Sequence, residues 1–112
     1  MIFVTGPLFS GKRDWIRRRL GLSEEAFSSC AVWNVQDLVP CNDLEALADQ
    51  LAENRVVIAT EMGLGIIPLE KKDRVRREEN GRLNIALASL SDCVVLMTAG
   101  IRDILVIVPP DD

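Results

Sequence analysis

Histidine and tyrosine are both absent from this 112-residue sequence, and its aromatic residues are three phenylalanines and two tryptophans. The absence of histidine excludes imidazole as a general base, a metal ligand, a covalent nucleophile and a pH switch near neutrality. Any chemistry must therefore use lysine, arginine, carboxylate, hydroxyl, thiol or backbone groups.

Cysteine is also scarce, and the three cysteines, Cys30, Cys41 and Cys93, form no C-x-x-C pair. We therefore expect reduced thiols rather than a disulfide framework. Three scattered cysteines without histidine do not predict a zinc site. Residues 1–5 lack the cationic start and long apolar stretch of a secretory signal, so we expect a cytoplasmic protein.

No apolar run approaches the roughly 20 residues of a membrane-spanning helix, and the net charge is only −4. The sequence pI of about 4.8 argues against a nucleic-acid partner. The apolar content is nevertheless 48%, which is enough to build a core. The composition predicts one soluble globular domain over residues 1–112, with neither a membrane nor a nucleic acid as partner.

Apolar strand-like runs alternate along the chain with segments of helical periodicity, which predicts an α/β fold with a mostly parallel sheet. Asn42 and Glu45 resemble a capping box at the start of the second helix. The last charged segment forms one long helix or two joined near Asn80-Gly81. The final strand is expected to be antiparallel because only residues 100–103 separate it from its neighbour. The strands are predicted at 2–5, 31–35, 56–60, 93–98 and 104–108. Helical segments are predicted at 13–20, at 44–52 after the cap Asn42, and at 70–90 as one helix or two.

The first predicted strand leads into a glycine loop that matches the G-x-x-x-x-G-K core of a phosphate-binding loop, or P-loop. In such a loop, backbone N–H groups wrap a phosphate and the lysine reaches the β- and γ-phosphates. Arg13 departs from the motif, which has a Mg²⁺-binding hydroxyl residue there. An ordinary glycine turn is the alternative. The nucleotide-binding candidates are Gly6, Pro7, Leu8, Phe9, Ser10, Gly11, Lys12 and Arg13.

Glu61 follows the predicted strand at 56–60, at the sheet edge where ligands of open α/β folds bind. A carboxylate there can hold Mg²⁺ directly or through water, or accept the proton of an attacking hydroxyl. An exposed loop acid is the alternative reading. Asp37 is a second candidate for a missing Mg²⁺ ligand, or else an acid of a loop or helix start.

Two clusters of basic residues occur, at 17–19 and at 71–77. Consecutive arginines point around a helix, so the first cluster indicates a solvated face more readily than an anion site. The second alternates with acids, as on a solvent-facing helix, although one edge of it can serve a phosphate-rich partner. Gly63 and Gly65 permit a tight backbone path and do not form a dinucleotide fingerprint.

Two stretches together resemble the adenosylcobinamide kinase/adenosylcobinamide-phosphate guanylyltransferase family, the CobU type. The first is the opening strand with Gly11-Lys12, and the second is residues 56–68, with the element Glu-x-Gly-x-Gly-Ile-x-Pro. The similarity continues through 76–84, with Gly81-Arg82-Leu83-Asn84, and through 94–101. It covers residues 1–13 and 54–101, and the Glu-x-Gly element is more specific than the glycine loop.

The resemblance implies a single P-loop NTPase-like three-layer domain that phosphorylates adenosylcobinamide with ATP or GTP, with Mg²⁺ as cofactor and assembly into a homo-oligomer. Lys12 would hold the phosphates and Glu61 would be the second catalytic residue and the metal ligand. Family members then transfer GMP through a guanylylated histidine, which this shortened chain lacks. We expect the kinase activity alone, or a noncatalytic relic that binds nucleotide or corrinoid or only assembles with other chains.

Overall fold

A computed structural model describes residues 1–6, 11–60 and 71–97, together with the backbone of residues 104–107. Five strands and four α-helices alternate in it, with a short 3₁₀ helix after the second strand. In chain order the elements are β1 (Ile2–Gly6), α1 (Lys12–Arg19), α2 (Glu24–Cys30), β2 (Ala31–Val32), the 3₁₀ helix (Val35–Leu38), α3 (Leu44–Leu51), β3 (Val56–Thr60), α4 (Lys71–Leu90), β4 (Cys93–Met97) and β5 (Ile104–Ile107).

The strands form one sheet in the order β2-β3-β1-β4-β5. Four of them are parallel, and in the central strand Ile2 lies opposite Val56 of β3 and Cys93 of β4. The fifth strand runs antiparallel to β4, with Val95 opposite Val106. The predicted α/β class, the parallel sheet and the antiparallel last strand are all confirmed.

Helices cover both faces of the sheet, so the fold has three layers. Phe3 of β1 points to one face and packs in a cluster with Leu83 and Leu87 of α4 and with residues of α3. The neighbouring Val4 points to the other face and packs with Ile16 of α1 and Phe27 of α2. Adjacent strand residues face opposite sides, and both clusters are buried, as expected for a parallel sheet between helical layers. No helix of the described residues is long and apolar enough to span a membrane.

Gly21 ends α1, as the sequence predicted. Its φ of 68° is left-handed, and its N–H donates to the Arg18 carbonyl at 3.1 Å while the Leu22 N–H donates to the Arg17 carbonyl at 3.1 Å. This pair of bonds is the Schellman arrangement, which satisfies carbonyls at the helix end. It turns the chain toward α2, a helix that the sequence analysis did not predict.

Two local predictions were wrong. The second strand does not extend over 31–35, because Asn34 adopts a left-handed φ of 58° and starts the 3₁₀ helix. The cap of α3 is not Asn42. Asp43 takes that place, since its Oδ1 accepts a hydrogen bond from the Ala46 N–H at 3.1 Å and leaves the helix to begin at Leu44.

The charged segment after β3 forms a single helix, α4, of 20 residues. It passes through Asn80-Gly81 without a break, which decides between the one-helix and two-helix alternatives. Its first turns are mostly exposed, and Glu78 pairs with Arg82 at 2.8 Å, an i, i+4 ion pair of the kind expected for a solvent-facing helix. At its other end, Leu83 and Leu87 are fully buried against the sheet.

Candidate functional site

The carboxyl end of β1 approaches its neighbour very closely at Gly6. A Cβ atom added to Gly6 would lie 2.5 Å from the carbonyl oxygen of Met97 in β4, and the φ of Gly6 is 157°. Only glycine fits without a shift of the backbone. Residues 7–10 lie outside the described residues, as do Glu61, Gly63 and Gly65, and their roles stay predictions.

The described part of the glycine loop resumes at Gly11, which precedes α1 in a left-handed conformation with φ 78°. Lys12 is the first residue of α1 and is buried, with 7% of its surface exposed. A lysine at the first turn of a helix that follows a parallel strand is where the phosphate-binding motif places its cation. The N–H groups of this first turn also lie at the positive end of the helix dipole.

A cavity of about 400 Å³ lies beside Lys12 at the carboxyl edge of the sheet. This volume is within the range of small-molecule sites. Trp33 and Asn34, which follow β2, form one wall, and Trp33 is partly exposed, at 36%. The full lining comprises Gly11, Lys12, Arg13, Asp14, Trp33, Asn34, Ile58 and Thr60.

Sequence reasoning missed the wall formed by the segment after β2. Gln36 is buried there, and its Oε1 accepts a hydrogen bond from the Thr60 N–H at 3.0 Å, which ties the 3₁₀ helix to the end of β3. No signal in the sequence pointed to Trp33, because it falls inside the strand predicted at 31–35 and not after its carboxyl end, where ligands of open α/β sheets bind.

The Arg13 side chain contacts Glu24 of α2 and the rings of Trp33 and Phe27. Its guanidinium donates to Glu24 of α2 at 2.7 and 3.2 Å, and its central carbon lies 4.5 Å from the Trp33 ring centroid and 5.1 Å from that of Phe27. The hydrogen bond from Arg13 lowers the pKa of the Glu24 carboxyl, and the same bond raises the pKa of Arg13. Arg17 adds a second ion pair, with its Nε 3.2 Å from Glu24 Oε1.

The residues described at this edge do not fit a magnesium ion at position 13. Arg13 offers no oxygen ligand and carries a positive charge. Asp37 is exposed in the 3₁₀ helix, and in the described residues no three acidic or cysteine side chains come together as a metal site. The other arginines of the first basic cluster, Arg18 and Arg19, are exposed on α1, as expected for a solvated face.

The parallel sheet between helical layers, with a lysine opening α1 at the carboxyl edge, defines a P-loop-like three-layer α/β protein. The sequence pattern of the cobinamide kinase/cobinamide phosphate guanyltransferase family, CobU, matches residues 29–105, which is more than half of the chain. The chain belongs to this family, whose name places it in cobalamin biosynthesis. The match begins after the glycine loop and α1. No curated protein matches the sequence.

Proposed function

We propose that this chain binds ATP or GTP at residues 6–13 and transfers the terminal phosphoryl group to the hydroxyl of adenosylcobinamide. The observation that carries the proposal is the placement of buried Lys12 at the head of α1, on the wall of the 400 Å³ cavity. Membership of the cobinamide kinase family supplies the acceptor. The wall around Trp33 offers an aromatic surface to a purine ring.

In the proposed step, the hydroxyl oxygen of the acceptor attacks the γ-phosphorus, and the bond from that phosphorus to the β,γ-bridging oxygen breaks. The nucleoside diphosphate leaves with the bridging oxygen, and Glu61 takes the proton of the hydroxyl. Lys12 and the backbone N–H groups around Gly11 hold the charge of the phosphates. Glu61 is also the residue that would hold magnesium in the proposed site, since Arg13 offers no oxygen ligand.

The second activity in the family's name is guanylyl transfer. The chain contains no histidine, so guanylyl transfer through a histidine adduct cannot occur. A purely noncatalytic role as a nucleotide- or corrinoid-binding relic is the second candidate. The observation that favours it is the engagement of Arg13 by Glu24 and Trp33, which replaces the usual hydroxyl ligand. Homo-oligomer assembly and the cytoplasmic location stay predictions.

Calorimetric titration with ATP and GTP tests the phosphate-loop proposal. Lys12→Met removes the ammonium group and keeps the buried aliphatic stem, and we expect at least about tenfold weaker nucleotide binding. Lys71→Met removes the same charge from an exposed position and is the matched control. Equal affinity of Lys12→Met and wild type for both nucleotides would contradict the proposal.

The kinase and the relic are distinguished by incubation with ATP and adenosylcobinamide. The kinase reading expects the nucleoside diphosphate and a phosphorylated corrinoid in equal amounts, detected by mass spectrometry. If nucleotide binding depends on Lys12 but neither product forms, the result supports the noncatalytic role. Incubation with GTP alone followed by intact-mass measurement should show no covalent GMP adduct, because the histidine that would carry it is absent.

A further inference from the structure

The inward side of α4 carries a row of polar residues where a packed helix usually carries apolar ones. Arg76, Asn80 and Asn84 are spaced by four, so they lie on one ridge of the helix. Asn80 is buried, with 4% of its surface exposed, and Arg76 and Asn84 are half-buried. With the half-buried Glu79, they form what we call the polar stripe.

The Asn80 and Asn84 end of the polar stripe lies level with Thr5, the last residue before Gly6 in the central strand. The Asp92 N–H donates to the Met1 carbonyl at 2.9 Å, so the end of α4 lies near the start of β1. Thr5 is four residues further along β1, or about 13 Å. As a crossover helix, α4 runs antiparallel to the strands, and about 13 Å corresponds to roughly nine residues of helix, which reaches the Asn80–Asn84 region.

Thr5 also faces the α4 layer. Strand residues alternate between the two faces, so Thr5 shares a face with Phe3. Phe3 packs in the same buried cluster as Leu83 and Leu87 of α4. The hydroxyl of Thr5 and the polar stripe are therefore on the same side of the sheet, near its carboxyl edge.

Five side-chain atoms at this place are shielded from solvent and have no hydrogen-bond partner in the described structure. They are Thr5 Oγ1, Arg76 Nε, Glu79 Oε2, Asn80 Oδ1 and Asn84 Oδ1. Each buried polar atom without a partner destabilises the folded state, because it has lost its hydrogen bonds to water. Folded proteins contain few such atoms. Five of them on one stretch of α4 and β1 lower the stability of the fold, and no interaction in the described structure compensates for this. A polar ligand would supply their missing hydrogen bonds.

The unpartnered atoms indicate which ligand chemistry fits. Three of them are acceptor oxygens, one is a hydroxyl and one is a donor N–H. A phosphate brings only acceptors and would be repelled by Glu79. The stripe from Arg76 to Asn84 covers about 12 Å, longer than the N–H edge of a single purine. Carboxamide groups supply N–H donors and a carbonyl acceptor together, and several of them on one ligand can match the length of the stripe.

We propose that the polar stripe and Thr5 bind the carboxamide arms of the corrinoid acceptor, on the face of the sheet opposite α1. This rests on the proposed function, in which a cobinamide receives the phosphoryl group. The two substrates would then approach the carboxyl end of β1 from opposite faces, the nucleotide from the α1 side and the corrinoid from the α4 side. Thr5 and Gly6 lie between them.

The test uses dicyanocobinamide as the probe, titrated against the whole chain and followed by its visible absorbance. In the double variant Asn80→Leu/Asn84→Leu, leucine fills a similar volume and removes the amide groups. We expect dicyanocobinamide binding to weaken at least about tenfold, as for the loss of two hydrogen bonds. We expect ATP binding to be unchanged and the Tm to be equal or higher, because unpartnered polar atoms have been removed. Gln50→Leu, an exposed amide on α3, is the matched control.

A purely structural role for the asparagines predicts the opposite stability result, a lower Tm. That result, or equal dicyanocobinamide binding by the double variant and wild type, would overturn the inference. If the double variant loses GTP binding but keeps dicyanocobinamide binding, the inference is also overturned, because the polar stripe would then bind the guanine base. Thr5→Val removes only the hydroxyl and measures the loss of dicyanocobinamide binding independently of the asparagines.

Failure of this inference and failure of the proposed function give different results. If wild type binds ATP in a Lys12-dependent way but does not bind dicyanocobinamide, the inference is wrong and nucleotide binding stands. If nucleotide binding is indifferent to Lys12 while the polar-stripe variants lose dicyanocobinamide, the phosphate-loop proposal is wrong and the corrinoid site stands.

Discussion

Arg13 donates two hydrogen bonds to the Glu24 carboxylate, at 2.7 and 3.2 Å, and so joins the first helix to the second. The position that carries a metal-binding hydroxyl in the phosphate-loop motif thus holds a structural cation in this chain. Its guanidinium also lies over Trp33, which lines the cavity. The same side chain therefore contacts both α2 and a residue of the cavity wall.

Glu24→Gln should lower stability only at pH values where the carboxylate is charged. The hydrogen bond from Arg13 holds the pKa of Glu24 below its usual value of 4.5. A lowered pKa in the folded state means that the contribution is complete above the unfolded value and is lost as the pH falls through the folded value. Urea unfolding of both proteins between roughly pH 3 and pH 7 measures this. A difference that is the same at every pH would contradict the prediction.

Arg13→Thr should make nucleotide binding respond to magnesium. The substitution restores the hydroxyl of the motif, so we expect Mg²⁺ to strengthen ATP binding by the variant and to affect wild type little. The variant should also lose about 0.5–1 kcal/mol of unfolding free energy, because the contact with the Trp33 ring is lost. Calorimetry with and without Mg²⁺ gives the answer. Arg18→Thr, at an exposed position of the same helix, is the control.

Gly6→Ala and Gly81→Ala should change stability in opposite directions. The new methyl group at Gly6 would lie 2.5 Å from the Met97 carbonyl oxygen, whereas a Cβ at Gly81 would meet no atom within 4 Å. We expect Gly6→Ala to lose about 1–3 kcal/mol through strain and backbone shifts. Gly81→Ala should gain about 0.5–1 kcal/mol, the helix preference of alanine over glycine. Thermal and urea unfolding measure both, and a stable Gly6→Ala protein would refute the close approach.

Asp43→Ala should destabilise the protein by about 1 kcal/mol, because the Ala46 N–H loses its cap. Asn42→Ala, one residue earlier, should have an effect within about 0.5 kcal/mol, as an exposed residue outside the cap. Urea unfolding of the two variants compares the observed cap with the one expected from the sequence. Equal losses in both variants would contradict the assignment of the cap to Asp43.

Two of the strands, β1 and β3, were predictable because they are short apolar runs buried on both faces. Val56–Thr60 is nearly continuous in apolar residues, and this pattern predicted a parallel strand directly. Helix α2 was not predictable in the same way, because only Phe27 of its seven residues is buried. Its start at Ser23, whose Oγ accepts from the Ala26 N–H at 3.2 Å, is a local signal that a helix this short does not reinforce.

The candidate site could be proposed from the sequence only where one continuous stretch carries its residues. The glycine loop and Lys12 are adjacent in sequence, so a motif detects them. The engagement of Arg13 depends on Glu24 and on Trp33, which belong to other elements, and sequence spacing does not show that these side chains meet. The polar stripe was hidden for the same reason, since its asparagines are unusual only once the packing of α4 on the sheet is known.

The central position of β1 has a consequence for the order of folding. Ile2 pairs with Val56 on one side and with Cys93 on the other, so β1 leaves the ribosome before either of the strands that it pairs with. Contacts of such sequence separation slow folding, because the chain must close long loops before it gains their contacts. Nascent chains that stop before β4 would keep one side of this apolar strand unpaired, and they should be prone to aggregate or to recruit chaperones.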